Sequence, residues 1–402
     1  MNQTAKIFPS TKTPPAEMEK TDFVSDQTVR WCPGCGDYAI LAGVQKLMPE
    51  LGIPRENMVF ISGIGCSSRF PYYMNTYGMH TIHGRAPAFA TGLKVARPEL
   101  SVWIVTGDGD GLGIGGNQML HMLRRNLDVN ILLFNNRIYG LTKGQVSPTS
   151  EQGLVTKSTP FGSLMTPLNP MTFALSAGAS FIARALDIDA KGLQTTLREA
   201  AEHKGTSFVE IYQNCPIFND GTFSEISERS LREDRILRLQ DGQPLLFGKE
   251  QNKGIRLKGL KLEIVDVNEN TDPSELLVHD QKSEDPLLAH LLSGMNFPDF
   301  PVPMGVFRQV KHPRFEESVQ EQIQNQIEKK GKGDLGKLIR GPQVWEALLA
   351  SPSGIKTSIL SPFVNFLNQT GFNTYRFSQY PDVYPGSLSL LPGVIPGKLP
   401  PL

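Results

Sequence analysis

The sequence predicts an α/β fold: one doubly wound, mostly parallel sheet followed by a C-terminal extension. Three observations carry that reading. Short apolar runs recur, at Val59-Phe60-Ile61, Val102-Trp103-Ile104-Val105, Val129–Phe134, Phe181–Arg184 and Phe208–Ile211. Such runs suit strands covered on both faces, as parallel strands between two helical layers are. Stretches with helical spacing separate them, at Pro87–Lys94, Met171–Ala179 and Gly192–His203, and strand alternating with helix implies βαβ units. Several strands also run straight into glycine, cysteine or amide residues, and ligands of such sheets bind at the carboxyl edge.

In chain order, residues 1–27 mix Pro, Lys and Glu without an apolar run and read as an N-terminal arm. Trp31-Cys32-Pro33-Gly34-Cys35-Gly36 is a CxxC in a tight turn. Gly65-Cys66-Ser67 follows the strand Val59–Ile61, and Cys215-Pro216 follows the strand Phe208–Ile211. The chain has 4 cysteines. Converging at one sheet edge, they would serve a structural Zn²⁺ or a [4Fe–4S] cluster equally well by spacing. A CxxC redox pair with two buried thiols ranks behind, because intracellular disulfides are disfavoured. The segment Gly78–Arg85, with His80 and His83, is loop-like.

The strand Val102–Val105 runs into Gly107-Asp108-Gly109-Asp110-Gly111, whose glycines let a ligand approach the backbone while two carboxylates stand at the strand's end. The strand Val129–Phe134 ends likewise on Asn135-Asn136-Arg137-Ile138-Tyr139-Gly140. Asp108 and Asn136 are 28 positions apart, about one helix and one strand, so both side chains can reach one edge of a parallel sheet. One carboxylate and one amide oxygen form an economical Mg²⁺ set, which phosphate oxygens and water complete. Pro148–Pro170, rich in Ser, Thr, Gly and Pro, reads as a surface excursion. Beyond 241 the glycines thin out, and Leu257–Val267 with Ser274–Gly294 suggest a small unit of strand and helix. Phe315–Lys330 is a polar helix with Val319, Ile323 and Ile327 at four-residue spacing, a stripe for docking. The organisation is therefore an arm (1–27), a principal domain (28–240), an extension (241–345) and a tail (346–402) whose role no pattern assigns.

Composition narrows the function classes. With 40 basic and 40 acidic residues the formal net charge is zero, leaving no electrostatic footprint for nucleic acid. No secretory core and no membrane-length apolar run is found, so a soluble cytoplasmic protein is expected.

Asp108 and Asn136 at this spacing resemble the thiamine diphosphate motif, in which the Asp, the Asn and a carbonyl two residues on, here that of Ile138, hold the metal bridging the diphosphate. The wider sequence resembles the β subunits of 2-oxoacid:ferredoxin oxidoreductases. Trp31–Gly36, Gly63-Ile64-Gly65-Cys66-Ser67-Ser68, His83-Gly84-Arg85-Ala86, Gly107–Asp110, Tyr139-Gly140-Leu141-Thr142-Lys143-Gly144-Gln145 and Cys215-Pro216 stand in the family's order. The match covers roughly 28–236, with a weaker echo at 300–310.

The resemblance implies a thiamine diphosphate-binding fold in which Cys32, Cys35, Cys66 and Cys215 ligate one [4Fe–4S] cluster. It implies Mg²⁺ held by Asp108, Asn136 and Ile138, and cofactor contacts from Gly65, Ser67, Ser68, His83, Gly107, Gly109, Asp110, Gly140 and Leu141. The implied reaction converts a 2-oxoacid, coenzyme A and oxidised ferredoxin to acyl-CoA, CO₂ and reduced ferredoxin. It requires an α subunit carrying the pyrimidine-binding domain, in an αβ or (αβ)₂ assembly. Arg69, where the family often has lysine, offers a planar fork to a carboxylate, with Lys143 as a second cation and His83 for cofactor contact or proton handling. The Arg69 run and Gly78–Arg85 look like the 2-oxoglutarate branch; pyruvate or broad 2-oxoacid use, and a thiamine-dependent decarboxylase with structural zinc, are the alternatives.

Overall fold

The computed structural model describes residues 17–341; the tail and most of the arm lie outside them. In chain order the elements are helix α1 (Asp37–Glu50), strand β1 (Met58–Ser62), the one-turn α2 (Phe70–Tyr73), β2 (Tyr77–His80), α3 (Ala86–Ala96), β3 (Ser101–Gly107), α4 (Gly116–Arg125), β4 (Val129–Asn135), α5 (Pro170–Ser176), β5 (Phe181–Leu186), α6 (Ala190–Glu202) and β6 (Ser207–Tyr212). The short α7 (Ser224–Ser227) and α8 (Arg232–Arg235) lead to β7 (Ile236–Arg238), β8 (Leu246–Phe247), β9 (Lys253–Lys258), β10 (Lys261–Asp266), α9 (Leu287–Ser293), β11 (Val302–Gln309), α10 (Phe315–Lys330) and α11 (Leu335–Arg340).

The central sheet has the order β2-β1-β3-β4-β6-β5-β11-β7. From β2 to β5 every pairing is parallel, as expected. Alternate residues of its strands feed two cores. Val59, Ile61, Val102, Ile104, Val129, Ile131 and Leu133 pack with α3, α4 and α5. Phe60, Trp103, Val105, Leu132 and Phe134 pack with Ile40, Val44 and Leu47 of α1 and Leu193 and Leu197 of α6. Both faces are dry, which is why the strands read as continuous apolar runs. Local signals set the helix starts: Asn169 accepts from the N–H groups of Met171 and Thr172 with Pro170 following, and Asp189 accepts from Gly192 N–H.

Three readings are corrected. The start of the loop-like segment Gly78–Arg85, as far as His80, belongs to the edge strand β2; all four residues of this strand are exposed, so no burial alternation marked it. The Pro148–Pro170 excursion is not wholly at the surface, because Thr149 and Ser150 are buried together with neighbouring Ser147. The extension is a separate unit only in part: β8, β9 and β10 form their own three-stranded sheet, the expected unit of strand and helix, whereas β11 pairs antiparallel with β5 of the central sheet, and Phe247, Ile255, Leu292 and Phe307 join the core beside α3 to α5. Residues to Asn325 form one unit, and the end of α10 and α11 belong to a second. In α11, Asp334 caps the helix by accepting from Lys337 N–H. Ile323 and Ile327 of the stripe on α10 are exposed.

Candidate cofactor and metal site

From β1 the chain passes outward to β2 and then crosses back to β3 on the other side of β1, so a crevice opens between the carboxyl ends of β1 and β3. Its walls include Gly65, Cys66, Ser67, His83, Gly107, Asp108, Gly109, Asp110, Asn136, Ile138, Gly140 and Leu141. Four separated stretches thus bring together most of the residues expected at a cofactor. The enclosed space is about 50 Å³, a cradle for one end of a ligand rather than a pocket for all of it.

Asp108 is buried at the end of β3, and loss of solvent pushes its carboxyl up to about 6 against opposing hydrogen bonds from Ser147 and Thr149. A cation beside it would relieve that cost. Across the cradle, the Asn136 Oδ1 accepts from Ile138 N–H at 3.2 Å, which fixes the turn presenting the Ile138 carbonyl. The donor set of one carboxylate, one amide oxygen and one carbonyl fits a magnesium ion that keeps phosphate and water ligands. After Asp108 the backbone makes one wide turn, closed by Gly115 N–H donating to Asp110 O at 3.0 Å, and then enters α4. Such turns gather at functional sites, and the helix start directs N–H groups outward for a phosphate. Gly109 is required by contact: a Cβ there would lie 2.2 Å from the Tyr139 ring, whose hydroxyl donates to Gly109 O at 2.7 Å.

Asp110 holds the cradle's walls together. Its Oδ1 accepts from Gly84 N–H at 2.7 Å and Ile64 N–H at 3.1 Å, while Oδ2 accepts from Thr106 Oγ1 at 2.7 Å. It is therefore a buried tie between the exits of β1, β2 and β3. His83 Nδ1 lies 2.6 Å from Asp110 Oδ1.

The cysteines share this edge. All four are free thiols, Cys32 exposed and the others half-buried. A Cβ at Gly140 would lie 3.6 Å from Cys215 Sγ and 3.8 Å from Cys66 Sγ, so both sulfurs stand next to Gly140 of the cradle wall. Burial, Asp37 and the other thiols push Cys66 up to about 11 and raise Cys35 further. Gln213 Nε2 donates to Cys35 Sγ at 3.2 Å, and Trp31 Nε1 donates to Cys66 O at 2.7 Å. Asp37, buried beside Cys35, is pushed up to about 7 by burial and by nearby Asp187. Cys35 and Cys66 held in this way keep their protons, which a group that takes thiolates would displace as it binds. Among the described residues no three His, Cys, Asp or Glu side chains close on one point as around a single ion.

Other expected residues fall outside the cradle wall. Ser68 is buried with its hydroxyl unpartnered. Arg69 donates to Arg30 O at 3.2 Å and is close enough to Cys66 to favour its thiolate. Lys143 is exposed at the tip of the 139–145 turn with φ of 75°, and His80 is exposed beside Tyr72. Sequence reasoning passed over Thr149, Asn135, Glu210, Arg184, Asp37 and Gln213. Only a short hydrogen-bonding residue shortly after the Asn136 turn could have flagged Thr149. A larger cavity of about 610 Å³ is lined by Asn135, Arg137, Thr149, Arg184, Tyr212 and Phe223; none of the predicted cofactor residues lines it.

Residues 63–211 match the family described as thiamine pyrophosphate enzyme, C-terminal TPP binding domain. The 2-oxoglutarate oxidoreductase subunit KorB of Mycobacterium tuberculosis is 51% identical over 327 residues, 81% of this chain and 87% of that protein. A 2-oxoacid:ferredoxin oxidoreductase 1 β subunit of Aeropyrum pernix is 46% identical over 55% of this chain and 67% of its own. Among solved structures, the 2-oxoglutarate:ferredoxin oxidoreductase of Magnetococcus marinus, with 2-oxoglutarate, coenzyme A and succinyl-CoA bound, superimposes with a TM-score of 0.63 and 34% identity, covering 80% of this chain and 95% of that one. Similarity of that extent, with the motif residues gathered at one sheet edge, identifies this chain as a β subunit of the 2-oxoacid:ferredoxin oxidoreductase family, an oxidoreductase closely similar to the 2-oxoglutarate (KorB) subunits.

Proposed function

We propose that this subunit binds magnesium thiamine diphosphate and one [4Fe–4S] cluster and, with an α subunit, converts 2-oxoglutarate, coenzyme A and oxidised ferredoxin to succinyl-CoA, CO₂ and reduced ferredoxin. The observation that carries the reading is that Cys66, Asp108, Asn136, Ile138 and Gly140 line one cradle, with the sulfurs of Cys66 and Cys215 both next to Gly140. Bound there, the thiazolium supplies carbanion stabilisation for decarboxylation and the cluster accepts electrons one at a time.

The chain's own residues orient and neutralise. Asp108, Asn136 and the Ile138 carbonyl ligate the metal; Gly107, Gly109, Gly65 and Ser67 allow the diphosphate to approach backbone. Cys32, Cys35, Cys66 and Cys215 hold the cluster. His83, tethered by Asp110, holds or passes a proton at the cradle mouth. Arg69 and Lys143, each next to or near a wall residue (Ser67, Thr142), present cations to the substrate's carboxylates. The shallow cradle leaves the aminopyrimidine end of the cofactor to an α subunit, in an αβ or (αβ)₂ complex located in the cytoplasm. Among the described residues no helix is long and apolar enough to cross a membrane.

The test is anaerobic purification with the α subunit. About four iron and four sulfide per chain, and coenzyme A-dependent ferredoxin reduction faster with 2-oxoglutarate than with pyruvate, are expected. Stoichiometric zinc would overturn the cluster, and a preference for pyruvate would overturn the substrate.

A further inference from the structure

Asp108 does not stand alone at the end of β3. Thr149 Oγ1 lies 2.6 Å from Asp108 Oδ2 and 2.9 Å from Asn135 Oδ1. Asn135 Nδ2 donates to Glu210 Oε1 at 2.8 Å, and Arg184 Nε donates to Glu210 Oε2 at 2.7 Å. All five side chains are buried. The Arg184 guanidinium is itself set against the rings of Tyr212 and Phe307, at 5.0 and 5.4 Å.

The chain has one direction. Asn135 cannot flip, because its Oδ1 also accepts from Arg137 N–H at 3.1 Å and its Nδ2 faces a carboxylate. Thr149 has a single proton to give, and the charged, closer acceptor takes it. Asp108 Oδ2 is thereby committed to Thr149, Ser147 adds a second donor to the same carboxylate, and Asp108 still lines the cradle. Two carboxylates and one guanidinium leave this buried set one negative charge in excess, which a divalent cation offsets.

Resting on the metal site proposed above, we infer that Thr149, braced by Asn135, Glu210 and Arg184, is a positioning residue that holds Asp108 as a one-oxygen ligand and so favours magnesium over calcium. Magnesium demands a near-ideal octahedron, whereas calcium accepts two-oxygen carboxylates and higher coordination. An Asp108 released by Thr149 can turn both oxygens to the ion, which helps the larger cation at the expense of the smaller.

The experiment titrates thiamine diphosphate into the αβ complex by calorimetry, with Mg²⁺ or Ca²⁺ as the sole divalent ion. The proteins are wild type, Thr149→Val and Thr149→Ser, with visible absorbance and thermal melting checking folding. Removal of an outer hydrogen bond to a metal ligand typically costs about 10- to 100-fold in affinity. Thr149→Val should lose that factor with Mg²⁺ and markedly less with Ca²⁺, and Thr149→Ser should restore the wild-type ratio. A folded Thr149→Val with an unchanged Mg²⁺/Ca²⁺ ratio, or a Thr149→Ser that fails to restore it, overturns the inference alone. Wild-type binding that needs no divalent ion overturns the metal site and the inference together.

Discussion

At the scale of single residues, Asp108 makes a pH-dependent prediction whose sign can be worked out. A carboxylate must lose its proton to ligate a metal, and burial has pushed this one up to about 6. Magnesium-dependent cofactor binding should therefore be flat above pH 6 and weaken about tenfold per unit below it, as calorimetry from pH 5 to 8 would show. The same shift acts on folding: a carboxyl raised above its unfolded value favours the folded state at low pH and loses that contribution as pH rises through about 6. The thermal stabilisation given by Mg²⁺ and cofactor should accordingly be larger at pH 7 than at pH 5. Asp108→Ala should abolish metal-dependent binding while leaving the visible absorbance of the cluster. Cys215→Ala should bleach or severely degrade that absorbance; a full spectrum in this variant would place the fourth ligand elsewhere. Asp108, Asn136 and the cysteines were legible in sequence because each sits in a short motif. Thr149 and Asp37 were not, since a buried hydroxyl or carboxylate acquires meaning from its partner, and those partners are known only once the chain is folded.

At the scale of elements, α6 ends on a buried histidine. His203 Nε2 lies 2.7 Å from Ser180 Oγ, and burial lowers the imidazole to about 4. Its folded value lies below its unfolded value, so the unfolded chain takes up the proton first and stability falls as pH drops from about 6.5 toward 4. The loss should approach roughly 3 kcal/mol at full protonation, and His203→Gln should flatten it in denaturant titrations at pH 7 and 4.5. The turn after β3 is as constrained as the helix end. Gly109→Ala would drive a methyl into the Tyr139 ring, and overpacking of this kind costs about 1–3 kcal/mol. A lowered melting temperature with weakened cofactor binding is expected, whereas Gly116→Ala, in open space on α4, should change little. Strands and helices of the central sheet were readable because burial on both faces prints a distinctive apolar run. The exposed edge β2 prints no such pattern, and β11 carried only a short apolar segment that did not declare which strand it would join or in which direction.

The whole molecule sets the substrate question, because the cradle is too small for the whole of the proposed cofactor and the proposed function leaves the rest to an α subunit. An unpaired second carboxylate in a closed site is costly, so a 2-oxoglutarate enzyme must supply a cation. Arg69→Ala should lower kcat/KM for 2-oxoglutarate about 10- to 100-fold, the loss expected for a charged hydrogen bond of ~1.5–3 kcal/mol, and pyruvate should suffer less. Equal losses for both acids in the ferredoxin-reduction assay would move Arg69 to the carboxylate or carbonyl that the two substrates share.

By itself the sequence determined the fold class, the edge of the sheet that carries chemistry, the family and the identities of the candidate ligands. Those properties live in local pattern, in the apolar run, the glycine turn and the spacing from one strand end to the next. Tertiary structure decided that β11 runs antiparallel to β5, that Asp110 ties three strand exits together, and that Thr149 faces Asp108 with Asn135, Glu210 and Arg184 behind it. Such pairings join residues 41, 75 and 26 positions apart. They depend on the register of neighbouring strands and on the path of a loop, which no local window of sequence specifies, because the energy that selects them is gained only when the distant partners are desolvated together.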